Sequence, residues 1–140
     1  MIVGYTTGVF DLFHIGHVNL LRNAKSMCDK LIVAVTVDDL VLYKNKSPVI
    51  PFEERIEVVR ACQYTDLVVP QTTMNKLDAH DRYRFDIMFV GDDWLKTEKW
   101  NGLNEQFSEL GVRIVYFPYT QGTSSTLINE TLKEIRSKQF

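Results

Sequence analysis

The sequence predicts an α/β fold: a doubly wound, five-stranded parallel sheet with helices on both faces. Three observations predict it. Short β-prone runs alternate with stretches of helical periodicity along the chain. One run, Leu31 to Val37, is apolar on both faces and rich in branched residues, as a strand buried between two helical layers must be. The runs also end in glycine, proline or polar loops, which places the ligand-binding loops at the carboxyl ends of the strands, where strand order reverses.

Taken in order, Ile2 to Thr7 is the first strand and ends at Gly8. From His17 the apolar residues Val18, Leu20, Leu21 and Ala24 recur at helical spacing, so strand, tight loop and helix follow one another. Leu31 to Val37 is the second strand, and its carboxyl end, Thr36 to Asp39, is expected to open toward the site. Lys44, Asn45 and Lys46 lie in a polar stretch closed by Ser47 and Pro48. Pro51 starts a helix expected to reach about Cys62, with Glu53 and Glu54 in the first turn, where carboxylates favour the positive end of the dipole. Leu67 to Val69 is a third strand ended by Pro70, Asn75 to Arg84 a polar helix, and Ile87 to Val90 a fourth strand ended by Gly91. A helix from about Trp100 to Leu110 is stopped by Gly111, and the strand Arg113 to Phe117 runs into Pro118. Thr123 to Thr126 offer N-caps for a closing helix whose apolar stripe is Leu127, Ile128, Leu132 and Ile135.

With 140 residues, 45% of them hydrophobic, the expectation is one domain spanning 1–140 around one core. A formal net charge of -2 provides no broad basic field for nucleic acid or an acidic membrane, so any anion must be held by a local pocket. The longest strongly apolar run is far too short to span a bilayer, and the first residues lack a signal-peptide pattern. Cys28 and Cys62 show neither a CxxC spacing nor a disulfide-rich context; both read as buried thiols in helical stretches, which suits a reducing cytoplasm.

The chemistry concentrates in Thr6-Thr7-Gly8-Val9-Phe10-Asp11-Leu12-Phe13-His14-Ile15-Gly16-His17, between the first strand and the first helix. Free N–H groups and the helix dipole favour an anion there. A loop turning at Gly16 can aim both imidazoles at one point, and Gly16 lets the backbone pass close to a ligand. Two histidines taken alone are more often ordinary loop or core residues; their context reverses that reading.

The segment resembles the signature of the nucleotidyltransferase superfamily built around His-x-Gly-His. Gly8 to His14 followed by Gly16-His17 looks most like the cytidylyltransferases that make CDP-glycerol, CDP-choline or CDP-ethanolamine. The resemblance implies a Rossmann-like fold and a reaction without a covalent intermediate, with His14 and His17 stabilising the transition state at the α-phosphate of CTP. It also implies magnesium brought by the nucleotide and a homodimer. No His/Cys cluster suggests a metal site of the protein's own. Removing either imidazole is expected to spare the fold.

Lys44 and Lys46 match lysines that contact phosphates in glycerol-phosphate cytidylyltransferases, the plain alternative being two solvated loop lysines. Arg55 matches a family arginine that holds the substrate or its loop; the alternative is a helix-surface salt bridge among the neighbours of Glu53 and Glu54. Gly91-Asp92-Asp93-Trp94 resembles the Gly-Asp-Asp-Trp element of the glycerol-phosphate branch and favours glycerol over choline. Its acids can bind a ribose hydroxyl, order a turn or position magnesium, and Trp94 can cover a base or substrate. Thr120-Gln121-Gly122-Thr123-Ser124-Ser125-Thr126 resembles the second family signature, where hydroxyls and free N–H groups hold the β- and γ-phosphates; an N-cap explains one hydroxyl equally well.

The candidate site thus assigns catalysis to His14, His17 and Lys44. Nucleotide binding falls to Thr7, Gly8, Val9, Phe10, Asp11, Gly16, Lys46, Gly91, Asp92, Thr120, Gly122, Ser124 and Ser125, and acceptor binding to Asp11, Asp38, Lys44, Arg55, Asp93 and Trp94. Two family arginines are missing, replaced by Gln63 and Tyr119, and Gln121 replaces a glutamate. A fixed guanidinium fork is lost with each arginine, so other cations such as Arg60 or Arg113 must compensate, or the nucleotide and acceptor differ from the standard pair. Three readings compete: a cytidylyltransferase for glycerol 3-phosphate or a related alcohol phosphate (glycerol 2-phosphate, phosphocholine, phosphoethanolamine), an adenylyltransferase, and a nucleotide-binding regulator. The adenylyl reading is motivated by Ser124-Ser125-Thr126 followed by Ile128, although Asn129 stands where that pattern ends in arginine.

Overall fold

The computed structural model describes residues 1–42, 47–91, 98–118 and 124–139. Its strands are β1 (Val3–Gly8), β2 (Lys30–Thr36), β3 (Leu67–Gln71), β4 (Ile87–Gly91) and β5 (Arg113–Phe117). Its helices are α1 (Ile15–Lys25), α2 (Asp38–Leu42), α3 (Phe52–Arg60), α4 (Lys76–Tyr83), α5 (Glu98–Glu109) and α6 (Ser125–Gln139). The sheet order is β3-β2-β1-β4-β5, and every pairing is parallel. This is the Rossmann-like arrangement expected from the sequence. The chain winds outward from β1 to β3 and then returns to place β4 on the other side of β1. The reversal opens a crevice at the carboxyl ends of β1 and β4.

Alternation along β2 explains why the sheet needs two layers of helix. Leu31, Val33 and Val35 pack with Leu21, Ala24, Ile56 and Val59 of α1 and α3, while Ile32 and Ala34 join Tyr5, Phe85, Met88 and Phe107 on the opposite face. In the second cluster Phe85 is 1% exposed and stacks on Tyr5 with ring centroids 4.5 Å apart.

The structure corrects the sequence reading in several places. β3 does not stop at Pro70 but runs through it to Gln71. Proline is tolerated because β3 is an edge strand, and the buried Thr36 hydroxyl donates to Gln71 Oε1 at 2.6 Å, which ties the strand ends together. The short helix α2, unexpected from the pattern, follows β2 directly. Cys28 and Cys62 lie just beyond the ends of α1 and α3 and are half-buried rather than helical and buried. The stripe of α6 is not a core face: Leu127, Leu132 and Ile135 stay 47%, 39% and 49% exposed. Gly111 ends α5 as expected, with φ +78°, a conformation that disfavours any side chain. No helix among the described residues is long and apolar enough to cross a membrane.

Phe85→Ala is expected to cost about 3–5 kcal/mol of stability, because a buried ring leaves a cavity. Leu110→Ala, at a position 53% exposed, should stay within about 0.5 kcal/mol of wild type. Urea unfolding of both variants tests the pair; equal midpoints would contradict this account of the core.

Candidate active site

The loop from β1 to α1 owes its shape to two backbone inversions and a plug. Phe10 and Leu12 adopt φ of 54° and 51°, left-handed values that cost a side-chain-bearing residue about 1–2 kcal/mol each. The Phe10 ring is driven into the core, 4% exposed, and covers Gly8 so closely that a Cβ there would stand 3.0 Å from the ring. A side chain at position 8 would therefore have to push the Phe10 ring back by a few tenths of an ångström.

The two histidines close the first turn of α1. His14 is the N-cap, and its Nδ1 accepts from the Gly16 N–H at 3.0 Å. In return His17 Nδ1, three residues on, accepts from the His14 N–H at 3.1 Å. Here imidazoles play the parts that hydroxyl and carboxylate take in an ordinary capping box. Gly16 is thus the second helical residue and supplies an N–H, rather than forming the turn expected of it. Because each Nδ1 must offer a lone pair, each neutral ring carries its proton on Nε2, the edge left free for a ligand.

The rings are in contact, with centroids 4.0 Å apart and planes inclined by 33°. His17 also packs against Phe10 and Phe13, each with its centroid at 5.3 Å. Burial lowers the His17 pKa to about 4, helped by the His14 ring and opposed by Asp11. Burial lowers that of His14 as well. Both histidines are therefore neutral N–H donors near pH 7.

Cross-ties attach the loop to distant segments. The Asp11 carboxylate accepts from the backbone N–H groups of Val49 at 2.8 Å and Ile50 at 2.9 Å, and its carbonyl accepts from the Ser125 hydroxyl at the start of α6. Arg55, only 1% exposed, donates to the carbonyls of Val9, Thr36 and Ile50 and to Asp38 Oδ1. It is no helix-surface residue, and its ionic partner is Asp38, not a neighbour of Glu53 or Glu54. Asp38 is engaged on both oxygens, since Oδ2 accepts from the Phe52 N–H at 3.3 Å.

A cavity of about 630 Å³ lies between this loop, the 47–48 segment and α6. Thr7 to Asp11, His17, Ser125 and Thr126 line it, which brings the two sequence signatures together. Ser124 acts as the ordinary N-cap of α6, its hydroxyl accepting from the Leu127 N–H at 3.0 Å. Gly91 closes β4, next to β1 in the sheet. Lys44, Lys46, Asp92, Asp93, Trp94, Thr120 and Gly122 lie outside the described residues. Neither arginine expected to compensate for the missing pair is at the site: Arg60 is turned outward to Glu57, and Arg113 begins β5, at the opposite edge of the sheet from the loops. Sequence reasoning also missed Lys76, whose ammonium donates to Thr7 Oγ1 at 3.0 Å, and the α6 residues Glu130 and Lys133 on the cavity wall. Lys76 carried no motif; Glu130 and Lys133 were legible only as continuations, at helical spacing, of the hydroxyl cluster.

Comparison with known proteins agrees with this geometry. A family model described as cytidylyltransferase-like matches residues 5–131. The glycerol-3-phosphate cytidylyltransferase of Bacillus subtilis is 36% identical over 91% of this chain and 94% of its own. The FAD synthase of Pyrococcus abyssi is 31% identical over 91% of this chain and 88% of its own. Among solved structures, a lipopolysaccharide core biosynthesis protein from Thermoplasma volcanium shares the fold with a TM-score of 0.72 at 24% identity, over 88% of this chain and 99% of that one. Fold and relatives together define the chain as a nucleotidyltransferase. It belongs to the cytidylyltransferase-like family.

The lowered pKa of His17 makes stability depend on pH. Between pH 6.5 and about 4 the unfolded chain binds a proton that the folded imidazole refuses, so stability falls as pH drops through that window. The loss is of the order of 3 kcal/mol, with no contribution above the upper limit. In His17→Asn, whose Oδ1 can replace the capping Nδ1, urea unfolding across the window should show a shallower slope; an unchanged slope would sink the assignment.

Proposed function

We propose that the chain transfers CMP from CTP to glycerol 3-phosphate, giving CDP-glycerol and pyrophosphate. The observation that carries this reading is the pair of touching, neutral imidazoles at the N-terminus of α1, each with Nδ1 held by backbone and Nε2–H free, beside a cavity joined to the start of α6. A phosphate oxygen of the acceptor attacks the α-phosphorus in line as the bond to the bridging oxygen of the β-phosphate breaks, and pyrophosphate carries away the electron pair. No covalent enzyme intermediate is needed. Negative charge grows on the oxygens around the α-phosphorus, where the Nε2–H groups of His14 and His17 donate. Neutral donors suit this role, because they stabilise developing charge without becoming acids that surrender a proton to the phosphate.

The amide-rich turn of Thr7 to Asp11, with Gly16, Ser124 and Ser125, holds the nucleotide in this proposal, and Lys44 and Lys46 neutralise phosphate. In the same reading Gly91 and Asp92 bind the nucleotide, Asp93 and Trp94 bind the acceptor, and Thr120 and Gly122 hold the β- and γ-phosphates. Arg55 and Asp38 keep the loops in place around both substrates. Magnesium belongs to the same reading and arrives on the triphosphate; the Asp11 carboxylate is committed to the N–H groups of Val49 and Ile50. When bound, magnesium offsets leaving-group charge. Association as a homodimer completes the proposal.

The relatives named for glycerol 3-phosphate support the acceptor. A second reading is favoured by the FAD synthases, because FAD contains an adenylyl unit and these relatives are nearly as similar. Incubation of the chain with CTP or ATP and a panel of glycerol phosphates, phosphocholine, phosphoethanolamine and flavin mononucleotide, read by mass, separates the two. CDP-glycerol as the dominant product is expected, and a product formed only from ATP would transfer the assignment to adenylyl chemistry. His14→Asn should keep the helix cap, since asparagine is a strong N-cap, yet lower kcat by about 10²–10³. Wild-type turnover by this variant would remove the histidines from the mechanism.

A further inference from the structure

We propose that Lys133, in the third turn of α6, is the cation that binds the β- and γ-phosphates of the nucleotide and the pyrophosphate it releases. The proposal rests on the nucleotidyl-transfer reading and adds a residue that neither sequence signature contains. Lys133 is the one lysine or arginine among the described residues that line the cavity. The other groups on that wall cannot do its work. His17 is neutral, Asp11 and Glu130 carry the same sign as a phosphate, and Ser125 donates its hydroxyl to the Asp11 carbonyl. Arg55 is buried with four of its donors on protein acceptors, and Lys76 donates to Thr7.

Helix geometry places Lys133 where such a cation is needed. Thr126, Asn129, Glu130 and Lys133 are spaced three, one and three residues apart, which puts them on one face of α6, the face that lines the cavity. Helical side chains lean toward the N-terminus, so the long stem of Lys133 carries its ammonium back over the turn of Asn129, toward the free N–H groups at the helix start. The ammonium makes no ion pair within 4.0 Å among the described residues. Lysine acts as a mobile point charge rather than a fixed fork, and it can follow the β- and γ-phosphates as they become pyrophosphate. Without it, the anion would face Asp11 and Glu130 with no described cation on the wall.

Titration of the whole chain with inorganic pyrophosphate, followed by calorimetry, tests this without reference to turnover. Lys133→Ala is expected to weaken pyrophosphate binding about tenfold and to raise KM for CTP by a similar factor, with KM for the acceptor phosphate unchanged. Lys133→Arg should recover most of the loss. Arg136→Ala, an exposed change on the same helix that does not line the cavity, should leave binding at the wild-type level. Because Lys133 is exposed, all three variants should melt with the wild type. Equal pyrophosphate affinity in Lys133→Ala and wild type, an equal loss in Arg136→Ala, or no measurable binding by wild type would each overturn the proposal. Binding that depends on Lys133 in a chain forming no product from CTP or ATP would instead leave it standing and defeat the transfer reaction.

Discussion

The first turn of α1 is closed by two imidazoles, and the rest of the candidate site depends on that arrangement. An α-helix leaves its first N–H groups unpaired, and here the Nδ1 atoms of His14 and His17 take up two backbone donors at the entrance. The same bonds fix the tautomer of each ring and hold the two rings in contact. Capping and the proposed chemistry therefore share one structure: the bonds that stabilise the helix end also orient the two rings. It follows that alanine at either position removes one bond of the capping box, worth about 1 kcal/mol, as well as an imidazole, which gives the small expected loss of folding a definite source. Substitution by asparagine separates the two roles.

Preorganisation requires that the loop before the cap be rigid, and its backbone alone would not make it so. Two left-handed residues, Phe10 and Leu12, make the loop intrinsically unfavourable. What holds it is contact with remote parts of the chain. Phe10 is buried in the core, Arg55 grips the Val9 carbonyl, and Asp11 is pinned by the N–H groups of Val49 and Ile50. A buried guanidinium without its partners would be heavily penalised. Three carbonyls and one carboxylate satisfy Arg55, and those acceptors come from the ends of β1, β2 and the segment before α3. The strand ends are thereby locked to each other at the mouth of the crevice.

Charge is the other constraint. A site for two phosphorylated substrates needs positive charge, yet Gln63 and Tyr119 stand where the family resemblance implies arginines, and the chain carries a net charge of -2. Arg60 and Arg113 face elsewhere, the first toward Glu57 and the second at the amino end of its strand. The weakly packed closing helix offers a route around the deficit. Leu127, Leu132 and Ile135 remain partly exposed, Ser125 ties the start of α6 to the Asp11 carbonyl, and the face bearing Lys133 lines the cavity.

The sequence by itself determined the five strands, their parallel sheet and, apart from the short α2, the helices between them. These follow from local rules: period, branching and caps are written in neighbouring residues, and the apolar run of β2 already required cover on both faces. Pro70 misled because proline ends a strand only where its missing N–H would have been paired, and edge position is a property of the sheet. The helical position of Gly16 was hidden because no pattern of apolar residues marks a turn capped by imidazoles. Only the tertiary structure decided what Arg55, Asp38 and Asp11 touch, that Arg113 is at the wrong edge, and that Lys76 and Lys133 reach the crevice. Those outcomes depend on which remote segments meet, and a single sequence records the partners of a side chain only through the fold that brings them together.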